Sequence, residues 1–337
     1  MRRRVLIAVA AAWCIVAALA FGLCQGGQSA AGAGRPEKAT LILQWAPQAQ
    51  FAGYYVALEK GFYRDHGLDV EVIPGGSTID PVDALKSGEA DFAISFLSGA
   101  LTAAAEGVPL VNVAQVVNRS NLMIVAHRKV IKDRDDLDGK RVSLWRMSLR
   151  SAYLGYFESA RIQPRILPQY YTVNLFLQGG ADACAAMEYN EYHTIMQAGV
   201  DSDEMTTFFM RDVGFGFPED GIYALAATLR KRSRVCRELA AASMEGWEYC
   251  RQHPDEAVDI VMAHAAAAHV PTNRVHQRWM LDHVLAAIFP GEHDDWEPGA
   301  LSRVDYERTR AIMIGEGLIA GAPSYERFVA PGARSAP

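Results

Sequence analysis

The chain has 337 residues, half of them hydrophobic, with a formal net charge of −6. That length suffices for two lobes of ordinary domain size around a sizeable core. The acidic balance, with no basic run beyond the first four residues, excludes a nucleic-acid surface.

Met1-Arg2-Arg3-Arg4 precedes an apolar stretch from Val5 to about Leu23 and a small-residue exit, Ala31-Gly32-Ala33. This is the order of a secretory signal. Cleavage is expected before Gly34, with residues 1–33 as the signal peptide and a soluble periplasmic product. An uncleaved anchor is the competing reading, because roughly 18–20 apolar residues can span a bilayer. A lipoprotein through Cys24 is a third, although Leu23 stands where a small residue is usual. Cys14 and Cys24 fall in the leader. Cys184, Cys236 and Cys250 remain, an odd number with no C-x-x-C spacing. They are expected to be buried and unpaired rather than zinc ligands.

Leu41-Ile42-Leu43 is a short apolar strand that breaks at Gln44-Trp45-Ala46-Pro47, since the residue before a proline is pushed out of the α region. From about Phe51 the period changes to a helix with Tyr54, Tyr55, Leu58 and Phe62 on one face. Leu68, Val70 and Val72 then alternate with Asp69 and Glu71 as a half-exposed strand. Gly75-Gly76-Ser77 closes this βαβ unit. Trp45 stands at the carboxyl end of the first strand, where open α/β sheets keep their ligands. Gly75-Gly76-Ser77 exposes backbone N–H groups and a hydroxyl at the same edge. The alternative is that Trp45 is core and the glycines only a turn.

Asp80 caps a helix that Pro81 opens and Gly88 ends. Asp91 to Phe96 is a buried strand with Ser95 and Phe96 at its carboxyl end, followed by an alanine-rich helix to Glu106. Leu110 to Val117 is the next strand, with Gln115 near its end. The alternation predicts a mostly parallel sheet covered on both faces. Leu122 to Ala126 reads as the crossing into a second lobe. There Trp145 takes the place that Trp45 has in the first, before a helix from about Leu149 to Ala160. Tyr170 to Val173 is expected as a strand. Ala181 to Met187 echoes Glu89 to Ile94, so both lobes repeat one plan. Met205 to Met210 is a strand candidate, 213–221 a loop containing Asp220, and Ile222 to Ala227 the return crossing. Helices follow over Arg234–Gln252, Pro254–Ala268, Arg274–Phe289 and Tyr306–Glu316. A polar loop spans 291–299, and the tail from Ala330 is expected to be disordered.

Several segments carry a family resemblance. WAPQAQFAGYYVALEKGFYRDHGLDVEVIPGG, from Trp45 to Gly76, resembles the N-terminal signature of ABC-transporter solute-binding proteins of the sulfonate/nitrate/taurine and thiamine-pyrimidine-precursor group. Leu85 to Ile94 resembles the same group's SGxxDFAI segment, and Ala186 to Tyr192 is similar to its pyrimidine-precursor branch. The resemblance implies a type II periplasmic binding protein fold of class α/β. Two α/β lobes flank a ligand cleft that closes by hinge motion, and the C-terminal helices lie on lobe 1. The expected boundaries are 34–124 for the first part of lobe 1, 125–222 for lobe 2, 223–330 for the rest of lobe 1, and 331–337 for the tail. The expected partners are a small-molecule ligand and the ABC permease and ATPase at the inner membrane, with the protein a monomer.

Catalytic constellations are scarce. G-x-S-x-G, H-E-x-x-H and the Walker-type loop do not occur, and His264 and His269 are spaced poorly for a metal pair. Neither cofactor nor metal is expected. Binding chemistry is better supplied. Trp45, Phe96, Trp145 and Tyr189 offer flat apolar plates to a heteroaromatic ring. Glu188, at the end of a buried strand, is expected to accept hydrogen bonds from an aminopyrimidine edge, with Asn190 complementing it. The alternative is that Glu188 bonds backbone N–H groups or a nearby Arg. Gln48, Tyr54, Gly75, Gly76, Ser77, Ser95, Gln115 and Asp220 complete the expected site. Arg146 and Ser148 are added for an anion at the next helix N-terminus.

Yeast-type pyrimidine synthases resemble this chain at Trp45 and Glu188. Their lysine position falls here on Ser95 and their histidine on Gly99, and their cysteine run falls on Gly214 to Phe217. A serine cannot form the Schiff base of a pyridoxal cofactor, so the chain resembles the binding members of the group. The leading expectation is capture of a thiamine pyrimidine precursor. An alkylsulfonate or other small anion comes second. A synthase, or a ligand-free sensory or scaffold protein, belongs to other classes.

Overall fold

The computed structural model describes residues 35–145, 150–289, 291 and 296–334. The expected signal peptide, Arg146 and Ser148 lie outside these residues.

The opening unit forms as its pattern predicts, except that Gly61, at φ 84°, breaks the expected helix and leaves Phe62 in a separate turn. Strand β1 (Glu37–Ile42) ends ahead of Pro47. After a 3-10 turn at Ala49–Phe51 come α1 (Ala52–Glu59), the single turn α2 (Phe62–Asp65) and strand β2 (Leu68–Ile73). Helix α3 (Pro81–Ser87) has its cap as expected, with Asp80 accepting from the Val82 N–H at 2.9 Å. Strand β3 (Phe92–Phe96), helix α4 (Leu97–Ala105) and strand β4 (Leu110–Gln115) follow.

The second sheet begins with β5 (Leu122–His127) and β6 (Arg141–Trp145). It continues through α5 (Ser151–Ala160), β7 (Arg165–Gln169), α6 (Asn174–Leu177), β8 (Ala183–Met187), α7 (Glu191–Gln197) and β9 (Met205–Phe209). Strand β10 (Asp220–Leu225) returns to the first sheet.

The two sheets have orders β2-β1-β3-β10-β4 and β7-β6-β8-β5-β9. These are the same plan twice: three parallel strands, one antiparallel strand inserted, and an edge strand. The inserted strands, β10 and β5, are the apolar runs read as crossings. The chain passes between the sheets over residues 116–121 and 210–219. The expected boundaries at 124/125 and 222/223 therefore fall inside β5 and β10, whose buried backbones are completed by pairing on both edges.

The crossings run side by side. The Val116 and Val117 N–H groups donate to the Asp220 carbonyl, and the Glu219 N–H donates to Val117. The buried Glu219 carboxylate accepts from the Ser120 hydroxyl at 3.1 Å and from the Asn121 backbone N–H.

Two other expectations change. Tyr170 to Val173 is not a strand. The strand is β7, whose Pro168 is tolerated because β7 is an edge strand paired only with β6. The tail is ordered through Arg334: Val329 bridges Asn112 on β4, the Ala330 N–H donates to the Asn112 carbonyl, and Ala330 and Ala333 are buried. An edge strand with unpaired backbone groups holds this segment.

The remaining helices are α8 (Ala226–Lys231), α9 (Ser233–Gln252), α10 (Pro254–Ala267), α11 (Arg274–Ile288), α12 (Arg303–Gly315) and α13 (Tyr325–Phe328). Helix α9 crosses α1 at Gly53 and Gly246, where a Cβ on either would overlap the Trp247 ring or the Gly53 carbonyl. Helix α11 rests on the first lobe, with Gln277 accepting the Ala49 N–H at 2.6 Å. Cys184, Cys236 and Cys250 are buried free thiols. Among the described residues no helix is long and apolar enough to cross a membrane.

Candidate functional site

The carboxyl ends of the strands from both sheets converge on one cavity of about 340 Å³. From the first lobe it takes Gln44, Trp45, Gln48, Gln50 and Phe96. From the second it takes Trp145, Met187, Tyr189, Asn190 and Glu191. Side chains at strand ends point into such a crevice because the sheet stops while the following loop turns away. Three aromatic walls, Trp45, Phe96 and Trp145, come from the ends of β1, β3 and β6.

The polar groups have defined partners. Gln44 accepts the Phe96 N–H at 2.9 Å, which leaves its amide nitrogen without a protein partner among the described residues. Gln48 donates to Gln50 at 2.7 Å, and Gln50 donates to the buried Asp220 at 2.8 Å. Burial raises the Asp220 carboxyl to about 7. Glu191 is the acid that faces the cavity. Its carboxylate turns back to accept the Met187 N–H at 2.9 Å and the Asn190 side-chain amide at 3.0 Å. Burial pushes its titration up to about 7 against these donors.

A wider cleft of about 1620 Å³ lies beyond Trp45, Asn190 and Glu191 and reaches Gly75, Tyr171, His269 and His276. Tyr171 closes its near side. Its ring sits 5.0 Å from that of Trp45, and its hydroxyl accepts the Ser77 N–H at 2.9 Å.

Of the expected site, the structure brings Trp45, Gln48, Phe96, Trp145, Tyr189 and Asn190 together in the cavity, and Gly75 in the outer cleft. Gly76 and Ser77 meet Tyr171 from the opposite lobe instead of the inner cavity. Asp220 stands behind the wall, reached through Gln50. Tyr54 is fully buried core against Trp247. Ser95 is buried with its hydroxyl directed to the Phe96 carbonyl, and Gln115 donates to the Val117 and Glu219 carbonyls.

Glu188 takes the alternative reading. Its carboxylate pairs with Arg211 at 3.3 Å, and its carbonyl accepts the Trp279 indole N–H. Strand β8 ends at Met187, and the turn that follows exchanges one acid for the other. Glu191 was missed because it reads as the first residue of a solvated helix. Gln44 was legible in principle, since it adjoins Trp45 at the same strand end.

The model of the NMT1/THI5-like family matches residues 48–257. The chain is similar to the formylaminopyrimidine-binding protein of Halalkalibacterium halodurans, 25% identical over 246 residues, which is 70% of this chain and 73% of that protein. It is also similar to the 4-amino-5-hydroxymethyl-2-methylpyrimidine phosphate synthase THI11 of Saccharomyces cerevisiae, 24% identical over 137 residues, 40% of this chain and 37% of the enzyme. Among solved structures, the periplasmic aliphatic sulphonate binding protein SsuA of Escherichia coli superposes with a TM-score of 0.63 at 16% identity, over 90% of this chain and 94% of SsuA. At that identity the likeness is one of fold: two α/β lobes of the periplasmic binding protein type.

Proposed function

The chain belongs to the NMT1/THI5-like family, and from that premise we propose that it is the substrate-binding component of an ABC importer that captures an aminopyrimidine of the thiamine-precursor type. The observation that carries the reading is Glu191, a buried carboxyl facing a small, aromatic-walled cavity. A 4-aminopyrimidine presents an amino N–H beside a bare ring nitrogen. A carboxyl that titrates near neutrality can accept from the first and, when protonated, donate to the second. The plates of Trp45, Phe96 and Trp145 supply stacking worth about 0.5–1.5 kcal/mol beyond buried area.

An alkylsulfonate is the second reading, favoured by the fold shared with SsuA. Among the described residues no cationic side chain lines the inner cavity, and placing a sulfonate against Glu191 would set two negative groups together. The synthase reading fits poorly. Ser95 occupies the lysine position and cannot form an imine, and only 37% of the yeast enzyme is matched. The partners in this reading are a permease and its ATPase, the site of action is the periplasm, and the protein acts as a monomer.

Thermal shift of residues 34–337 with 4-amino-5-hydroxymethyl-2-methylpyrimidine and with an alkanesulfonate tests the proposal. A ligand at about 100 times its Kd adds roughly 2.7 kcal/mol of stability. A rise with the pyrimidine alone supports the reading. A rise with the sulfonate alone overturns it.

A further inference from the structure

We infer that His193, His276 and Asn190 form a latch between the lobes that holds the cleft closed while both imidazoles are neutral and releases it in acid. The inference goes beyond the function proposed above and does not depend on which molecule the cavity takes.

His193 lies on α7 in the second lobe and His276 on α11 in the first. Their Nδ1 atoms are 2.9 Å apart, and His276 Nε2 is 3.0 Å from Oδ1 of Asn190. Asn190 also lines the ligand cavity. The chemistry of these contacts fixes the protons. An amide oxygen only accepts, so His276 Nε2 carries a hydrogen. A neutral His276 therefore has a bare Nδ1, and His193 Nδ1–H donates to it. The His193 ring is stacked on His276 at 5.1 Å and on Trp279 at 4.6 Å, and Trp279 itself donates to the Glu188 carbonyl at 3.1 Å. Three hydrogen bonds and two ring contacts thus join α7 and the residues before it to α11.

One proton added to the pair can be shared, because neutral His193 can carry its hydrogen on Nε2 and accept from His276 Nδ1–H. Once both imidazoles are protonated, two N–H groups meet and the bridge is lost. Among the described residues neither imidazole has an acidic partner to stabilise its charged form. The ionisable groups on the packed elements are engaged elsewhere. Glu191 is held by Met187 and Asn190, and Glu188 pairs with Arg211. Arg274 pairs with Asp259, and Arg278 with Asp255 and Asp282. His283 stacks on Trp279, and His269 borders the same cleft.

Burial lowers the titration of both latch imidazoles, His276 to about 4, with each helped by a neighbouring imidazole. The sign follows. Opening returns an imidazole to water, where it titrates near 6.5. The closed form is favoured above that value and loses its preference as pH falls from about 6.5 toward 4. Between pH 7.5 and 5.0 the imidazoles by themselves should lower the closed-to-open ratio on the order of tenfold. Glu191, whose carboxyl burial raises to about 7, takes up a proton more readily in the closed cleft and opposes them, so the latch is read as the difference between the parent and a variant without the imidazole.

Ligand-free protein carrying fluorophores at Glu106→Cys and Lys129→Cys, both exposed and on different lobes, reports this ratio by single-molecule energy transfer. Among the described residues the native thiols, Cys184, Cys236 and Cys250, are buried. The expected result is a closed fraction that acid lowers more in the parent than in His276→Gln, whose amide still donates to Asn190 but cannot be protonated. His193→Phe keeps the stack on Trp279, removes the facing donor, and should shrink the response. Tyr171→Phe removes the other bridge, to Ser77, and should loosen closure equally at both pH values. A pH dependence of the closed fraction that is the same in the parent and in both histidine variants overturns the latch. Because no ligand is present, a wrong assignment of the ligand leaves this test intact.

Discussion

Replacing Glu191 by Ala separates the cavity acid from its neighbour in sequence. The Glu191 carboxylate accepts from the Met187 N–H and the Asn190 amide and keeps further lone pairs for a ligand. A ligand hydrogen bond to such a group contributes about 1.5–3 kcal/mol. Its loss should weaken binding of 4-amino-5-hydroxymethyl-2-methylpyrimidine by about ten- to a hundredfold, at 1.4 kcal/mol per decade. The apo protein should change less. Two donors lose their acceptor, but burial of a carboxyl whose titration stands near 7 is relieved at the same time. Glu188→Ala is the matched control. It breaks a partly exposed pair with Arg211 at 3.3 Å, worth about 0–1 kcal/mol of stability, and should leave affinity within about threefold. Isothermal titration calorimetry at pH 7.5 reads both variants. Unchanged binding in Glu191→Ala together with lost binding in Glu188→Ala would refute the reasoning and return the site to the strand end.

Two further perturbations probe the frame that positions this site. Glu219 is buried at the paired crossings and its carboxyl is raised to about 8 by burial, with Asp220 beside it. A raised folded-state value means a contribution present below the unfolded value and lost as pH rises through about 8, so the melting temperature should fall between pH 7 and pH 9. Glu219→Gln should reduce that fall, because the buried Asn121 Oδ1, now without a partner, can turn to accept the new amide; equal slopes in the two proteins would refute the account. Gly246→Ala should drive its methyl into the Gly53 carbonyl across the α1–α9 crossing. Overpacking of that kind costs about 1–3 kcal/mol and should lower the melting temperature by several degrees. A melting temperature equal to the parent's would contradict the close approach of the two helices.

Much of the fold was written locally. The break before Pro47, the Asp80-Pro81 cap and the alternation of β2 depend on neighbours a few residues away, and each formed where the sequence predicted. The aromatic walls were legible for the same reason, since Trp45, Phe96 and Trp145 are marked by the ends of their own strands. The tertiary structure decided what local pattern cannot carry. An apolar run such as Leu122–His127 is equally suited to a crossing or to an inserted strand, and only pairing with β8 and β9 makes it the latter. Pro168 counts against a strand until β7 is known to be an edge. The choice between Glu188 and Glu191 depended on the turn after β8 and on Arg211, 23 residues away. The contact between Asn190 and His276 joins residues 86 apart on different lobes. No periodicity within either segment encodes it, because it exists only when the two lobes are docked.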